Sequence, residues 1–260
     1  MSDESNQASS VEISGRKVFF LYPTASVQNQ IITELVQNEI EVYVAKDHNR
    51  LPRVLQNHPE SVVFINIDEQ QLSEPDWEKW IVNNLLVLKT VKIGIFSGSS
   101  SEELKEKYIS KLNVTCGFLK LKVDMSKAIS NVLEILEQVN VKGRRKFLRA
   151  TVDADTNATM NMPIDGDYIN AVVRDVSVVG FSCVFEQNPV LKKNTLYKNI
   201  QIRLQSNLLK VEAIVFGSRE ENDQKIYVFL FTQRTDSEIR SKIRKFIQHS
   251  LQTKMDQELN

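Results

Sequence analysis

Cysteine and histidine are scarce in this 260-residue chain, and their scarcity removes whole classes of chemistry. The two cysteines, Cys116 and Cys183, lie in separate apolar segments and fit no metal or redox spacing. Both are expected as buried free thiols in a reducing compartment. His48, His58 and His249 are scattered, which leaves zinc chemistry without support. No apolar run reaches the length of a membrane span, and Met1–Ser10 is polar where a signal peptide needs an apolar core. Residues 1–15 are expected to be disordered, and the protein to be cytoplasmic with no membrane span. No nucleophile–base pair is visible either, so an enzyme is not expected.

Net charge is missing as well, since 33 Lys and Arg balance 33 Asp and Glu. The balance conceals an asymmetry. Residues 1–141 carry 14 basic and 19 acidic side chains, whereas residues 142–260 carry 19 and 14. An anionic ligand is therefore better placed on the second half, although the same asymmetry also lets the halves attract one another. With 42% apolar and 25% charged residues, the chain has the composition and length of two ordinary domains.

Across residues 16–141, short apolar runs alternate with helical patterns. The runs are Lys17–Pro23, Glu41–Ala45, Val62–Ile67, Val91–Phe96 and Val114–Leu121. Helices are expected after Ser26 as N-cap, around Leu51–Gln56, through Trp77, Trp80, Ile81 and Leu85, over 102–112, and from Ser126 to Val139. Continuous apolar strands between helices imply an α/β doubly wound parallel sheet covered on both faces. The layout resembles the receiver domain of response regulators. That resemblance implies clustered acids after the first strand, but the chain there reads Tyr22-Pro23-Thr24. The phosphoacceptor position reads Asn66, with Asp68 two residues on; Ser97 and either Lys120 or Lys122 fill the remaining receiver positions. Without the acids nothing holds magnesium or offsets the charge of an incoming phosphoryl group. The expectation is a degenerate receiver that serves as a protein-docking or dimerisation module. Phosphorylation at Asp68, as in a response regulator, is the alternative. The helical spacing of Trp77 and Trp80 favours core packing over an interface.

Residues 142–252 change character. Alternating segments at Tyr168–Arg174, Phe181–Phe185, Ile200–Leu204, Leu209–Phe216 and Ile226–Phe231, separated by polar turns, imply about six short antiparallel strands. Thr235-Asp-Ser-Glu238 reads as a capping box, opening a helix with Ile239, Ile243, Phe246, Ile247 and Leu251 on one stripe. Residues 253–260 are read as a tail. Two short motifs stand out. Arg144-Arg145-Lys-Phe-Leu-Arg149 offers guanidinium forks that suit phosphates and stack on flat bases. Asp175-Val-Ser-Val-Val-Gly180 sets two small polar side chains on one face of an extended segment, with a glycine three residues on.

Together the motifs resemble the PilZ domain, the bacterial receptor module for cyclic di-GMP. Arg145 and Arg149 match that family's RxxxR, and Asp175, Ser177 and Gly180 match its (D/N)xSxxG about thirty residues later. Asn194 stands where many members have glycine before a strand. The resemblance implies a six-stranded antiparallel β-barrel with a closing α-helix, and cyclic di-GMP as ligand. It also implies roles. Arg145 and Arg149 grip phosphates and guanine edges, and stacking on a guanine is a role open to Arg144. Asp175 accepts from guanine N–H groups, Ser177 donates, and Gly180 lets the backbone approach. The function implied is a cyclic di-GMP effector that signals through domain rearrangement and protein contacts. A PilZ-like scaffold that binds no nucleotide is the rival. Nucleic-acid binding is not expected, since the basic excess is modest and no aromatic stacking platform appears.

Overall fold

A computed structural model of the chain describes residues 15–99, 101–121, 124–152 and 158–259. Apart from Gly15, the N-terminal segment expected to be disordered lies outside the described residues, as does Lys122. The chain divides into two compact units. One runs to Lys146 and takes in the stretch from Lys254 onward; the other is Phe147–Thr253. Among the described residues no helix is long and apolar enough to cross a membrane.

The first unit is built on five parallel strands: β1 (Val18–Leu21), β2 (Val42–Ala45), β3 (Val62–Asn66), β4 (Lys92–Ser97) and β5 (Phe118–Lys120), in the order β2-β1-β3-β4-β5. Helices α1 (27–37), α2 (Leu51–Asn57), α3 (74–85), α4 (102–111) and α5 (Met125–Gln138) make the crossovers. The register aligns Val18 with Val42 on one side and Val62 on the other, and Val62 with Lys92. Every residue of β1 and β3 is buried, which is why these strands read as unbroken apolar runs. The expected doubly wound, receiver-like fold is thus present. In that strand order the crevice for a ligand lies at the carboxyl ends of β1 and β3, where the order reverses.

The second unit is a closed barrel. Strands β7 (Ala158–Ile164), β8 (Asp167–Ser177), β9 (Gly180–Phe185), β10 (Leu196–Leu204), β11 (Asn207–Glu221) and β12 (Gln224–Phe231) join in the ring β8-β7-β10-β11-β12-β9 and back to β8; the two-residue β6 (Ala150–Thr151) adds to β8. All pairings are antiparallel. The six-strand expectation holds, although β7 has no counterpart among the segments read from sequence. Ala158, Met160 and Met162 point into the core, but alanine, methionine and the interleaved asparagine are poor strand formers, so the alternation is easy to overlook. Helix α6 (Ser237–Leu259) packs Ile243, Phe246 and Ile247 into the barrel core, with Ile239 and Leu251 against its rim. Asn194 has φ +63°, so the position demands the left-handed conformation that glycine adopts freely and asparagine tolerates.

Both helix caps differ from the reading by one or two residues. Thr24, rather than Ser26, receives Val27 N–H on its hydroxyl (3.4 Å), because Ser26 is already helical. At α6, Thr235 turns its hydroxyl back to the Thr232 carbonyl (2.9 Å), leaving the Asp236 carboxylate to accept from Glu238 N–H (2.7 Å). Asp236→Ala is therefore expected to lower stability by about 1 kcal/mol, measured as a denaturant midpoint, with Thr235→Ala costing clearly less.

Candidate functional site

The site begins with a defect in β8. Ile169, Ala171 and Val173 face the barrel interior, and strict alternation would carry Asp175 inward with them. A bulge at Arg174 prevents this: Val173 pairs with Cys183, but the next pair is Asp175 with Ser182. The extra residue exchanges the faces, so Val176 enters the core while Asp175 and Ser177 turn outward. The backbone at the bulge is put to use, since Arg174 carbonyl accepts from Val152 N–H at 2.8 Å.

That bond belongs to the attachment of β6, and β6 delivers the arginine. Ala150 pairs with Val176 and Thr151 with Asp175, which sets the preceding Arg149 at the Asp175–Ser177 end of β8. Arg149 Nη1 lies 3.6 Å from Asp175 Oδ1. Phe147 and Leu148 pack against the barrel core and anchor the segment from below. With side chains 51% and 21% exposed, a pair of this length contributes under about 1 kcal/mol to stability. Its value to the fold is small, and a ligand can displace it cheaply.

The second motif is a hairpin. Ser177 pairs with Gly180 across the two-residue turn Val178-Val179. Ser177 Oγ donates to the Gly180 carbonyl (3.2 Å) and accepts from Val179 N–H (3.4 Å), and the residue is 4% exposed. Gly180 is required by close packing: a methyl there would overlap the Phe229 carbonyl oxygen of β12 and sit 3.2 Å from Leu230 Cα. Arg240, in the first turns of α6, fixes the same hairpin by donating from Nη1 to the Val178 carbonyl at 2.8 Å.

Two contributors were not anticipated. Ser182 donates its hydroxyl to Asp175 Oδ2 and is 1% exposed. It was legible in principle, because Phe181, Cys183 and Phe185 alternate inward and leave Ser182 on the outer face with Asp175. Arg240 carries no sequence signal, since its partner lies 62 residues away. Beneath the site, burial pushes the Cys183 thiol well up from its ordinary value, with the nearby Asp175 charge acting in the same direction. Arg149, Asp175, Ser177 and Gly180 are thus brought together within the barrel unit. Arg144 and Arg145 are exposed on the irregular segment that closes the first unit at Lys146.

At the carboxyl edge of the first unit's sheet, the receiver positions are filled differently. Tyr22 follows β1 with φ +52°, and its hydroxyl bonds His48 Nδ1 at 2.9 Å. Asn66 donates to the Tyr22 carbonyl (2.9 Å) and accepts from Asp68 N–H (3.2 Å). Asp68 in turn receives Ser97 Oγ–H (2.6 Å) and Gly98 N–H (2.5 Å), which ties the loops after β3 and β4 together. Lys120 is paired with Glu102.

No protein-family model matches the chain, and no curated protein does. The chain is similar to solved PilZ domains and to a solved receiver domain. The PilZ domain of YcgR from Escherichia coli, solved with c-di-GMP, is 14% identical with a TM-score of 0.38, over 44% of this chain and 96% of that one. The MrkH–c-di-GMP complex of K. pneumonia is 16% identical with a TM-score of 0.40, over 45% of this chain and 57% of MrkH. The signal receiver domain of an HD domain-containing protein from Pseudomonas fluorescens Pf-5 is 12% identical with a TM-score of 0.39, over 48% and 97%. This chain therefore spans little more than half of MrkH.

Proposed function

We propose that the barrel unit is a receptor for cyclic di-GMP. The observation that carries this is the bulge at Arg174, which turns Asp175 out of the core and into ion-pair reach of Arg149. A guanidinium beside a carboxylate is complementary to guanine and phosphodiester together: the carboxylate accepts from ring and exocyclic N–H groups, and the fork donates to phosphate oxygens or to O6 and N7. Arg145, just ahead of Phe147, would add a second fork for phosphate oxygens and guanine edges, and Arg144 would stack on a guanine face. Ser177 and Gly180 support the site by holding its hairpin closed. The first unit, with Asn66 and Tyr22 in place of an acidic pocket, serves as a protein-docking module.

A second reading, a scaffold that binds no nucleotide, draws on the internal partners that Asp175 and Ser177 already have in Ser182 and the Gly180 carbonyl. Calorimetric titration with cyclic di-GMP separates the two. Arg149→Ala and Asp175→Asn are the informative variants, because asparagine keeps an acceptor for the buried Ser182 hydroxyl while removing the charge. Each is expected to weaken binding about 10- to 100-fold, the equivalent of one charge-assisted contact, with the unfolding midpoint nearly unchanged. Wild-type protein giving neither heat nor thermal shift would overturn the receptor reading in favour of the scaffold.

A further inference from the structure

The outer face of an antiparallel barrel is normally polar. Here it carries an apolar row. Leu196 of β10 pairs with Ile214 of β11, and Ile214 pairs with Leu230 of β12, so the three side chains stand abreast on adjacent strands. They are 43%, 36% and 38% exposed. Phe216, two residues on from Ile214, faces outward by the same alternation and is 56% exposed, at a second bulge between Val215 and Gly217. Single exposed apolar residues need no explanation, but four neighbouring ones do. None of the four contributes to the barrel core, so folding does not account for them.

The border of the row is charged. Lys192, Lys193 and Lys198 are exposed along it, and Lys193 Nζ lies 5.8 Å above the Phe216 ring. Two residues before Ile214 and two after Leu230, Glu212 and Thr232 line a cleft of about 330 Å³ that also takes in Lys210, Arg234 and Asp236. Cations therefore outnumber anions around the row, while two carboxylates remain on the same face. An anionic membrane would attract the lysines but repel Glu212 and Asp236. A protein segment can place its own charges selectively.

We infer that this face docks an acidic amphipathic segment of a partner protein. Its apolar side chains sit on Leu196, Ile214, Leu230 and Phe216, and its carboxylates meet Lys192, Lys193 and Lys198. Aromatic and aliphatic anchors bordered by charge are the arrangement that concentrates binding energy at interfaces. The inference does not depend on the nucleotide reading, since none of these residues belongs to the Arg149–Asp175 site.

The test is photo-crosslinking of the full chain carrying p-benzoylphenylalanine in place of Phe216, expressed in its own cells, with the adduct sequenced by mass spectrometry. The expected product is a peptide from another protein that combines aliphatic or aromatic residues with Asp or Glu. Its yield should fall at least about fivefold with Ile214→Ser, and again with the double change Lys193→Glu and Lys198→Glu, while the thermal midpoint holds. Several outcomes would overturn the inference: no adduct, an adduct with a second copy of this chain or with lipid, a partner segment of net positive charge, or a yield indifferent to those substitutions.

Discussion

Gly180→Ala should unfold the barrel before it tells anything about a ligand. The added methyl would be driven into the Phe229 carbonyl oxygen, with the Phe229 carbonyl carbon at 3.1 Å and Leu230 Cα at 3.2 Å. All three are backbone atoms of β12, which is laddered on both sides to β11 and β9, and Gly180 is itself paired to Leu230. A flexible side chain could swing aside; a laddered backbone cannot. Overpacking of this kind costs at the upper end of its usual range, about 3 kcal/mol. For a unit of this size that corresponds to more than about 10 °C in the midpoint of the barrel transition. Thermal unfolding followed through the barrel aromatics, Phe181 and Phe229 being stacked 4.9 Å apart, checks it. A variant that keeps its midpoint and loses only cyclic di-GMP would show that the glycine is there for the ligand and not for the strand. The contrast with Asp175→Asn is the useful part. Two positions of one six-residue motif are expected to fail in different measurements, one in stability and one in affinity.

How far the sequence could be read follows from where the deciding contacts lie. The parallel sheet was legible because β1 and β3 are buried on both faces, and unbroken runs such as Val62–Asn66 announce that. Most of the barrel was legible because residues such as Ile200, Ile202 and Leu204 alternate cleanly. Where propensity and burial disagree, the signal fades: Ala158, Met160 and Met162 form a core strand from poor strand formers. The motif residues were legible as a set, yet the reason they meet was not. Period-two alternation predicts that Asp175 shares a face with Val173, and only the bulge at Arg174 breaks that prediction. A bulge is decided by two strands at once, so nothing within β8 alone records it. The caps tell the same story on a smaller scale. Thr24 and Ser26, or Thr235 and Asp236, are all accepted capping types, and residue type alone does not say which of two neighbours receives the first free N–H.

The two tryptophans of α3 show the same limit, and they carry the largest expected effect in the first unit. Their spacing of three residues favours core packing for both. The structure divides them. Trp77 is fully buried, donates Nε1–H to the Glu69 carbonyl at 3.1 Å, and touches Tyr22, His48 and Trp80 at ring-centroid distances of 6.2, 5.8 and 5.6 Å. Trp80 is only half-buried and reaches His48 at 5.7 Å. This cluster stands at the carboxyl edge of β1 and β2, the edge a working receiver uses for its acids. Trp77→Ala is therefore expected to cost about 3–5 kcal/mol, because it deletes a fully buried indole at the heart of the cluster and leaves a cavity between the strand ends. Trp77→Phe should recover most of the packing but leave the Glu69 carbonyl without its donor, a residual loss of about 1–2 kcal/mol. Trp80→Ala should cost less than either. Chemical denaturation of the three variants, followed by far-ultraviolet circular dichroism, gives the order. If Trp77→Ala matched Trp80→Ala in stability, the cluster would have no part in holding the edge, and its aromatic surface would need another use.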